Sequence, residues 1–333
     1  MSSNIVSPRA DAWFAGGRRL DYDLGTRTIS ADTAHLKVFV REEGEMTDAV
    51  TFLPGYPEGS FGWSGLIPHL PDARQMPKLF FDYVGMGDSD KPRDYAYSTA
   101  ERADLVEALW RHLGVRSTTL VAFDFSSLVV LEHLRRRLER TGRGQPPAGP
   151  KIRGVLVFNG GLFTDGHSHP WYTTPLLRRL PRRAWNRLGR SFASFKRAMR
   201  VMWSKSFHPS DAAVGELYRV MQRHDGMFYL AAAAGFVADH KAQGKRLDFE
   251  SLFNLYRDEF PFLIGGSEED RFEHRQIDLA ARRLGGTSLQ IARLPGGHAT
   301  TAEQPQALAQ MIAAFERKSL QADPRPSPPT TQS

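Results

Sequence analysis

Three kinds of side chain in this sequence could together carry out nucleophilic chemistry, because each follows an apolar run. Asp124 follows residues 119–123, and three consecutive acids at 268–270 and His298 each follow a later apolar run. A carboxylate can attack an electrophilic carbon and form an alkyl ester, which water activated by a histidine then hydrolyses. A further acid can orient the histidine and stabilise its imidazolium form.

The stretch around Asp124 predicts a strand that turns sharply into a helix. Residues 119–123 are typical of a buried parallel strand, and apolar residues recur at helical spacing from 128 to 134. Small residues flank the turn, namely Ala122, Ser126 and Ser127. Asp124 would then project at the carboxyl end of the strand, where open α/β sheets bind ligands, close to helix N–H groups. The alternative reading is an aspartate that only caps the helix.

The composition narrows the class of protein. With 333 residues, of which 41% are hydrophobic, the chain can hold a large α/β domain with an insertion, or two domains. It has no cysteine, which excludes disulfides, thiolate metal sites and a cysteine nucleophile. The net charge of +7 does not by itself indicate nucleic acid, so we expect no nucleic-acid partner. The first dozen residues lack an apolar signal core, and we expect a cytoplasmic protein.

Two earlier strand ends predict further parts of a site. A short apolar strand at 48–53 runs into a Gly/Pro turn, in which the Tyr56 N–H follows Gly55. In that position a backbone N–H can point into an oxyanion hole, and we assign Tyr56 N–H and Phe125 N–H as the two donors. A second strand at 78–82 precedes a glycine-rich loop. A helix is then predicted over 98–113, with Ser98 or Thr99 as its N-cap and Gly114 at its end.

Four motifs at these spacings resemble one known family. They are Leu53-Pro54-Gly55-Tyr56-Pro57, Asp82 with Ser89-Asp90-Lys91-Pro92, Ala122-Phe123-Asp124-Phe125-Ser126-Ser127, and Pro295-Gly296-Gly297-His298. Together they resemble the epoxide-hydrolase and haloalkane-dehalogenase branch of the α/β-hydrolase superfamily, over residues 35–317. Within it, 158–163 and 89–92 resemble the mesoderm-specific-transcript-like hydrolases. The resemblance implies an α/β-hydrolase fold, with a mostly parallel sheet flanked by helices and an inserted helical cap.

The resemblance also implies boundaries and roles. The core would comprise 1–160 and 256–317, the cap 161–255, and a disordered tail 318–333. Asp124 would be the nucleophile and His298 the base, with an acid after the strand at 261–265 as the third member. The ending Asp270-Arg271-Phe272 favours Asp270, whereas counting from the glycine favours Glu269. We choose Asp270 and keep Glu269 as the alternative.

The sequence departs from the family pattern at several positions. Pro54 stands where the family has histidine. The usual turn around the nucleophile reads Gly-His-Asp, then Trp, Tyr or Arg, then Gly-Gly, whereas here Ala122, Phe123, Phe125, Ser126 and Ser127 surround Asp124. Dehalogenases of this branch often bind halide through a tryptophan after the nucleophile, but Phe125 has no ring N–H. Epoxide hydrolases use cap tyrosines as donors to the epoxide oxygen. We read Phe236 at one such position, which leaves Tyr172, Tyr218 and Tyr229, of which we assign Tyr172 and Tyr229 to substrate binding.

The predicted cap is unusually basic. Residues 166–210 contain no acidic residue, and apolar positions recur at steps of three and four from Trp185 to Met202. This predicts a helix that lies on the core with a solvated basic side, and the alternative is peripheral contact with an anionic membrane surface. His167 and His169 lack further ligands at metal spacing, so we interpret them as polar contacts.

These observations predict an enzyme that acts on a small hydrophobic molecule, without cofactor or metal. The favoured activity is that of an epoxide hydrolase with an aspartate nucleophile. The alternatives are a haloalkane dehalogenase and a non-catalytic ligand-binding protein on the same fold.

Overall fold

A computed structural model describes residues 9–23, 35–92, 95–147, 149–168, 191–228 and 236–322. These residues form an eight-stranded sheet in the order β1-β2-β4-β3-β5-β6-β7-β8. The strands are β1 Arg18–Asp23, β2 His35–Glu43, β3 Val50–Leu53, β4 Lys78–Phe81, β5 Ser117–Phe123, β6 Lys151–Phe158, β7 Phe262–Ser267 and β8 Gln290–Leu294. Strands β3 to β8 pair in parallel, and β2 is antiparallel to both β1 and β4. The predicted, mostly parallel sheet is confirmed.

Helices cover both faces of the sheet. The α-helices of the described residues are α1 Ala10–Ala15, α2 Thr99–His112, α3 Ser126–Gly142, α4 Phe192–Met199, α5 Asp211–Gln222, α6 Phe236–Gln243, α7 Phe249–Tyr256, α8 His274–Leu284, α9 Thr300–Glu303 and α10 Pro305–Ala322. Short 3₁₀ helices span Met46–Asp48, Gly59–His69, Arg200–Met202 and Arg223–Phe228. Side chains of α2, α3, α7 and α8 share one apolar cluster, and those of α1, α10 and Gly59–His69 share another.

The central strands are apolar because both of their faces are covered. Every residue of β3 is buried, as is every residue of β5 after Ser117. A parallel strand between two helical layers has no solvent face, so it reads as a continuous apolar run rather than an alternating one. This is why the runs at 48–53 and 119–123 could be recognised as strands from sequence.

Helix α2 begins and ends where its capping residues require. The Ser98 side chain accepts from the Glu101 N–H, and the Glu101 side chain accepts from the Ser98 N–H, which is a capping box. Gly114 has φ of 69°, a conformation that favours glycine just past a helix. Of the two predicted N-caps, Ser98 is therefore the one observed.

Between β6 and β7 the described residues contain helices α4 to α7 and no strand. Phe195 and Met199 of α4 are buried in a cluster with Val214 and Leu217 of α5. The apolar helix predicted from Trp185 lies partly outside the described residues, and its described part packs on α5. The last helix of the described residues, α10, ends at Ala322, so the tail predicted at 318–333 begins within a helix. Ser319 of this helix is buried, and its hydroxyl donates to Phe315 O.

The strands bring the predicted functional residues to one edge of the sheet. The loops that begin at Pro54, Asp124, Glu268 and Pro295 follow β3, β5, β7 and β8. Carboxyl ends of parallel strands share an edge, so these loops come together although the chain separates them by many residues. Within the described ranges, no helix is long and apolar enough to span a membrane.

Candidate active site

Asp124 lies at a sharp bend between β5 and α3. Its φ is 54°, which is unusual for a residue with a side chain and is sustained only where surrounding contacts hold it. The Asp124 N–H donates to Phe158 O at 3.1 Å, and the Ser127 hydroxyl donates to Asp124 O at 2.9 Å. The bend thus holds a buried carboxylate at the end of β5, as the sequence around Asp124 predicted.

The two carboxylate oxygens of Asp124 have different partners. Oδ2 accepts the Tyr56 N–H at 2.9 Å, and Oδ1 lies 3.4 Å from Nε2 of His298. One oxygen therefore lies in a backbone donor site while the other faces the imidazole.

His298 lies between Asp124 and Asp270. Its Nδ1 lies 2.9 Å from Oδ2 of Asp270, and all three side chains are buried. Asp270 is itself held, because its Oδ1 accepts the N–H groups of Phe272 and Glu273 at 2.8 and 3.2 Å. A carboxylate on Nδ1 favours the tautomer in which that nitrogen carries the proton, so Nε2 is presented to Asp124.

The alternative acid, Glu269, faces away from the histidine. It is exposed, and its Oε2 accepts the Lys205 N–H at 3.2 Å. Of the two acids left open by the sequence, the structure places Asp270 against His298.

The charges around His298 set its protonation. Burial by itself lowers the pKa of this imidazole, but the charges of Asp270 and Asp124 and hydrogen bonds to both raise it well above 6.5. Because one of those charges belongs to Asp124, the basicity of His298 depends on whether Asp124 is ionised.

Glu58 is a residue of this site that the sequence reasoning did not select. It is buried, and burial raises its pKa to about 7, with the Asp124 charge acting in the same direction and the His298 charge against it. The available signal was its place two residues after Tyr56, in the turn already predicted to contribute a donor.

Asn159 joins the ends of three strands below the histidine. Its Nδ2 donates to the His298 carbonyl at 2.7 Å and to the Ser267 hydroxyl at 3.1 Å, and its Oδ1 accepts the Ser267 N–H at 2.8 Å. Asn159 follows β6, Ser267 ends β7, and His298 follows β8. The residue therefore braces the His298 backbone.

Aromatic rings cluster beside Asp124 and His298. The Phe236 ring of α6 lies 5.8 Å from that of Phe125 and 6.3 Å from that of Tyr56, and the Phe272 ring lies 5.1 Å from the imidazole. Phe236, read from sequence at a position where relatives carry tyrosine, is thus next to the bend at Asp124. Its apolar ring cannot donate a proton.

The structure describes some, but not all, of the other residues that were assigned a role from the sequence. Phe125, whose N–H was predicted as the second donor, is the N-cap of α3, where N–H groups have no intrahelical partner. Tyr172 and Tyr229 lie outside the described residues. Tyr218 packs its ring against Phe195, 5.1 Å away, at the interface of α4 and α5.

Comparison with protein families and sequences gives partial matches. Residues 48–137 match the model of the family described as "alpha/beta hydrolase fold". Mouse mesoderm-specific transcript protein is 25% identical over 253 residues, which is 72% of this chain and 68% of that protein. A haloalkane dehalogenase of Sphingobium indicum is 35% identical over 99 residues, or 28% of this chain and 32% of that protein.

Solved structures resemble the chain over most of its length. The haloalkane dehalogenase DatA of Agrobacterium tumefaciens C58 superimposes with a TM-score of 0.67 at 18% identity, covering 91% of this chain and 97% of that one. The epoxide hydrolase CorEH superimposes with a TM-score of 0.62 at 17% identity, covering 91% and 99%. At these identities the likeness concerns the fold.

Proposed function

Since this chain has the α/β-hydrolase fold, we propose that it is a hydrolase that uses Asp124 as nucleophile and acts as an epoxide hydrolase on a small hydrophobic molecule. The observation that carries the proposal is the position of one buried carboxylate. Asp124 sits at the nucleophile bend with Oδ2 on the Tyr56 N–H and Oδ1 facing Nε2 of His298. An ordinary ester hydrolase would have a serine at this bend.

In the first step, Oδ1 of Asp124 attacks an epoxide carbon. A carbon–oxygen bond forms as the ring C–O bond breaks, and the alkoxide takes up a proton from a donor or from water. The product is an alkyl ester on Asp124. Oδ2 remains in its donor site as the carbonyl oxygen of that ester.

In the second step, His298 activates water. Nε2 removes a proton as the water oxygen attacks Cγ of Asp124, and Asp270 stabilises the imidazolium that forms. The Cγ–Oδ1 bond then breaks, and the proton on Nε2 passes to the departing alkoxide. The diol leaves, and the carboxylic acid left at Asp124 releases to solvent a proton equivalent to the one taken up in the first step, which restores the carboxylate.

Ester formation changes the charge next to His298. Although burial lowers the pKa of His298, the charges of Asp270 and Asp124 and hydrogen bonds to both hold this pKa above its ordinary value. The ester on Asp124 is neutral, so the contribution of the Asp124 charge is lost and the pKa of His298 falls. His298 therefore becomes a better acceptor for the proton of water once the ester has formed.

The negative charge of the tetrahedral intermediate develops on Oδ2. We assign the Tyr56 N–H, already 2.9 Å from that oxygen, as one donor, and the Phe125 N–H at the start of α3 as the second. A donor that is already in place needs no rearrangement when the charge develops.

The aromatic surroundings support a hydrophobic substrate. Phe236, Phe125 and Tyr56 cluster above the carboxylate, and we propose that residues 161–255, which include α6, form a cap over the site. A dehalogenase is the alternative, favoured by the sequence match to the Sphingobium enzyme. The rings of Phe125 and Tyr56 offer no N–H to hold a halide, so we rank it second.

The test is to trap the ester. In His298→Gln, alkylation proceeds but water is not activated, so a panel of lipophilic epoxides and haloalkanes should leave a stable adduct detectable by intact-protein mass spectrometry. An epoxide adds its whole mass, whereas a haloalkane adds its mass less that of the hydrogen halide. Asp124→Ala, combined with His298→Gln, should abolish the adduct, and peptide mapping should place it on Asp124.

An adduct that survives Asp124→Ala would contradict the proposed nucleophile. A folded His298→Gln protein that forms no adduct with any compound, while the wild type binds the same compounds, would support the non-catalytic binding protein instead.

A further inference from the structure

Ser126 occupies a position that the proposed chemistry leaves without a role. It is fully buried, two residues after the nucleophile. Its hydroxyl donates to the carbonyl of Pro54 at 2.6 Å and lies 3.1 Å from the hydroxyl of Tyr83. Because the single Ser126 hydroxyl proton is directed to Pro54, Tyr83 is the donor in the second hydrogen bond.

The Pro54 carbonyl is one peptide away from the Tyr56 N–H. Gly55 is the only residue between them, and the Tyr56 N–H in turn donates to Oδ2 of Asp124. A side chain at Gly55 would clash with the Phe123 ring and lie 3.2 Å from Cβ of Asp124, so the close approach of the Phe123 ring favours glycine there.

Glycine has more backbone freedom than other residues, so the direction of the following N–H depends on contacts to the neighbouring peptide groups. The Gly55 carbonyl, in the same peptide group as the Tyr56 N–H, accepts the Gly59 N–H at 3.3 Å, and the Pro54 carbonyl accepts the Ser126 hydroxyl.

We propose that Ser126 is a positioning residue that holds the Tyr56 N–H on the Asp124 carboxylate. The contacts form a closed ring from Asp124 through Ser126 to Pro54, and back through Tyr56 to Asp124. Fixing the Pro54 carbonyl anchors the peptide group before Gly55. Together with the Gly59 N–H on Gly55 O, it limits how far the Tyr56 N–H can turn away from Oδ2. Tyr83 holds the hydroxyl of Ser126 in the rotamer that the ring requires.

Ser127 offers a matched comparison on the next residue. It is also fully buried and is also a serine. Its hydroxyl lies 2.9 Å from Asp124 O and 3.0 Å from Gly161 O, so it braces the bend against the loop after β6. Neither contact involves the loop that contains Tyr56. Removing this hydroxyl should disturb the bend without releasing the Tyr56 N–H.

The kinetic consequence rests on the proposed function. A hydrogen bond to Oδ2 stabilises the resting carboxylate, whose charge is shared by two oxygens, less than the tetrahedral intermediate, whose charge is concentrated on Oδ2. Loosening the donor should therefore slow ester hydrolysis more than ester formation. The alkyl-enzyme would accumulate during turnover in Ser126→Ala.

The first experiment does not depend on activity. The chain has nine tyrosines, so ¹⁵N-tyrosine labelling gives a simple amide spectrum in which Tyr56→Phe identifies the Tyr56 signal. In Ser126→Ala the Tyr56 amide should move upfield and exchange with solvent about tenfold faster or more, because its local opening becomes easier. In Ser127→Ala the Tyr56 amide should change much less, because the Pro54 carbonyl keeps its hydrogen bond to Ser126. Tyr83→Phe should shift it in the same direction as Ser126→Ala, by less.

The second experiment measures the two steps by chemical quench. The fraction of enzyme present as ester at steady state should rise in Ser126→Ala, and ester hydrolysis should slow by about tenfold or more, short of the 10²–10³ of a donor removed outright. In Ser127→Ala both steps should slow alike and the ester fraction should not rise.

The positioning role fails if the Tyr56 amide of folded Ser126→Ala or Tyr83→Phe is unchanged, or if Ser127→Ala changes it equally. Should no compound alkylate the wild-type enzyme, the proposed function fails, but the Tyr56 amide still decides the positioning role.

Discussion

The Nε2 atom of His298 lies 3.4 Å from Oδ1 of Asp124, so the proposed base and nucleophile are directly coupled by charge. Removing the carboxylate charge in Asp124→Asn should lower the pKa of His298, because a close opposite charge that favours the imidazolium form is lost. Titration of the imidazole by NMR measures this. Glu269→Gln, which alters an exposed acid of the Asp270 loop, is the control and should leave the pKa of His298 unchanged. If the pKa of His298 is the same in Asp124→Asn as in the wild type, the proposed coupling is wrong.

The choice between the two neighbouring acids can be tested by a matched pair. Asp270→Asn keeps the shape of the side chain but removes the charge next to Nδ1 of His298, and should lower kcat by about 10²-fold or more. Glu269→Gln should retain nearly full activity, because its carboxylate binds the Lys205 N–H instead. Both are measured on a compound identified by trapping. The reverse pattern would show that the loop rearranges when substrate binds.

Glu58 should make the protein less stable as the pH rises. Its pKa is about 7 in the folded protein against 4.5 as its ordinary value, so between these values the folded state holds more protons than the unfolded state. The stabilisation relative to Glu58→Gln should be complete below pH 4.5 and lost by pH 7–8, with a change of ~3 kcal/mol. Urea unfolding of both proteins across this range measures the difference. A difference that does not vary with pH would exclude the raised pKa.

His240 should make the protein less stable as the pH falls, which is the opposite of the effect expected for Glu58. Its Nδ1 is 2.8 Å from Nε2 of His167, whose Nδ1 is 2.8 Å from Glu273. Burial and the His167 charge, against the Glu273 charge, lower the His240 pKa to about 4 from 6.5. The unfolded state therefore binds more protons between these values, and stability should fall as the pH drops from 6.5 to 4.

The variant His240→Asn separates this effect from other acid-induced changes. Its amide can still donate to His167, but it does not titrate. We expect the variant to lack the loss seen in the wild type over pH 6.5–4, ~3 kcal/mol by the same conversion. Hydrogen exchange in α6 at pH 5 should locate the effect, since His240 lies on that helix. If the wild type and His240→Asn lose the same stability between pH 6.5 and 4, the lowered pKa of His240 is wrong.

Much of the arrangement could be predicted because it is encoded locally. Apolar runs of strand length, each followed by a turn and a polar residue, marked the ends of β3, β5, β7 and β8. Parallel strands place their carboxyl ends at one edge, so the proximity of Asp124 and His298 follows from the strand pattern. The N-terminus of α2 could also be predicted from sequence, although only the structure shows that Ser98 rather than Thr99 is its N-cap.

The predictions that the structure had to resolve concern residues whose partners are distant. Asp270 and Glu269 are adjacent and alike in chemistry, and only the path of the backbone after β7 turns one toward His298 and the other toward Lys205. His167 was read as a polar contact, but its partner His240 is 73 residues away. Glu58 lies in the turn predicted after the strand at 48–53, and only the packing of the folded chain shows that its side chain is buried.

The sequence by itself determined the sheet, the bend at Asp124 and the edge at which the chemistry is proposed to occur, because short-range patterns dictate strands and turns. Tertiary structure alone decided which acid lies against the histidine, which carboxyl is buried, and that Ser126 reaches Pro54. Those outcomes depend on side-chain direction and desolvation, which arise only when segments far apart in the chain pack together.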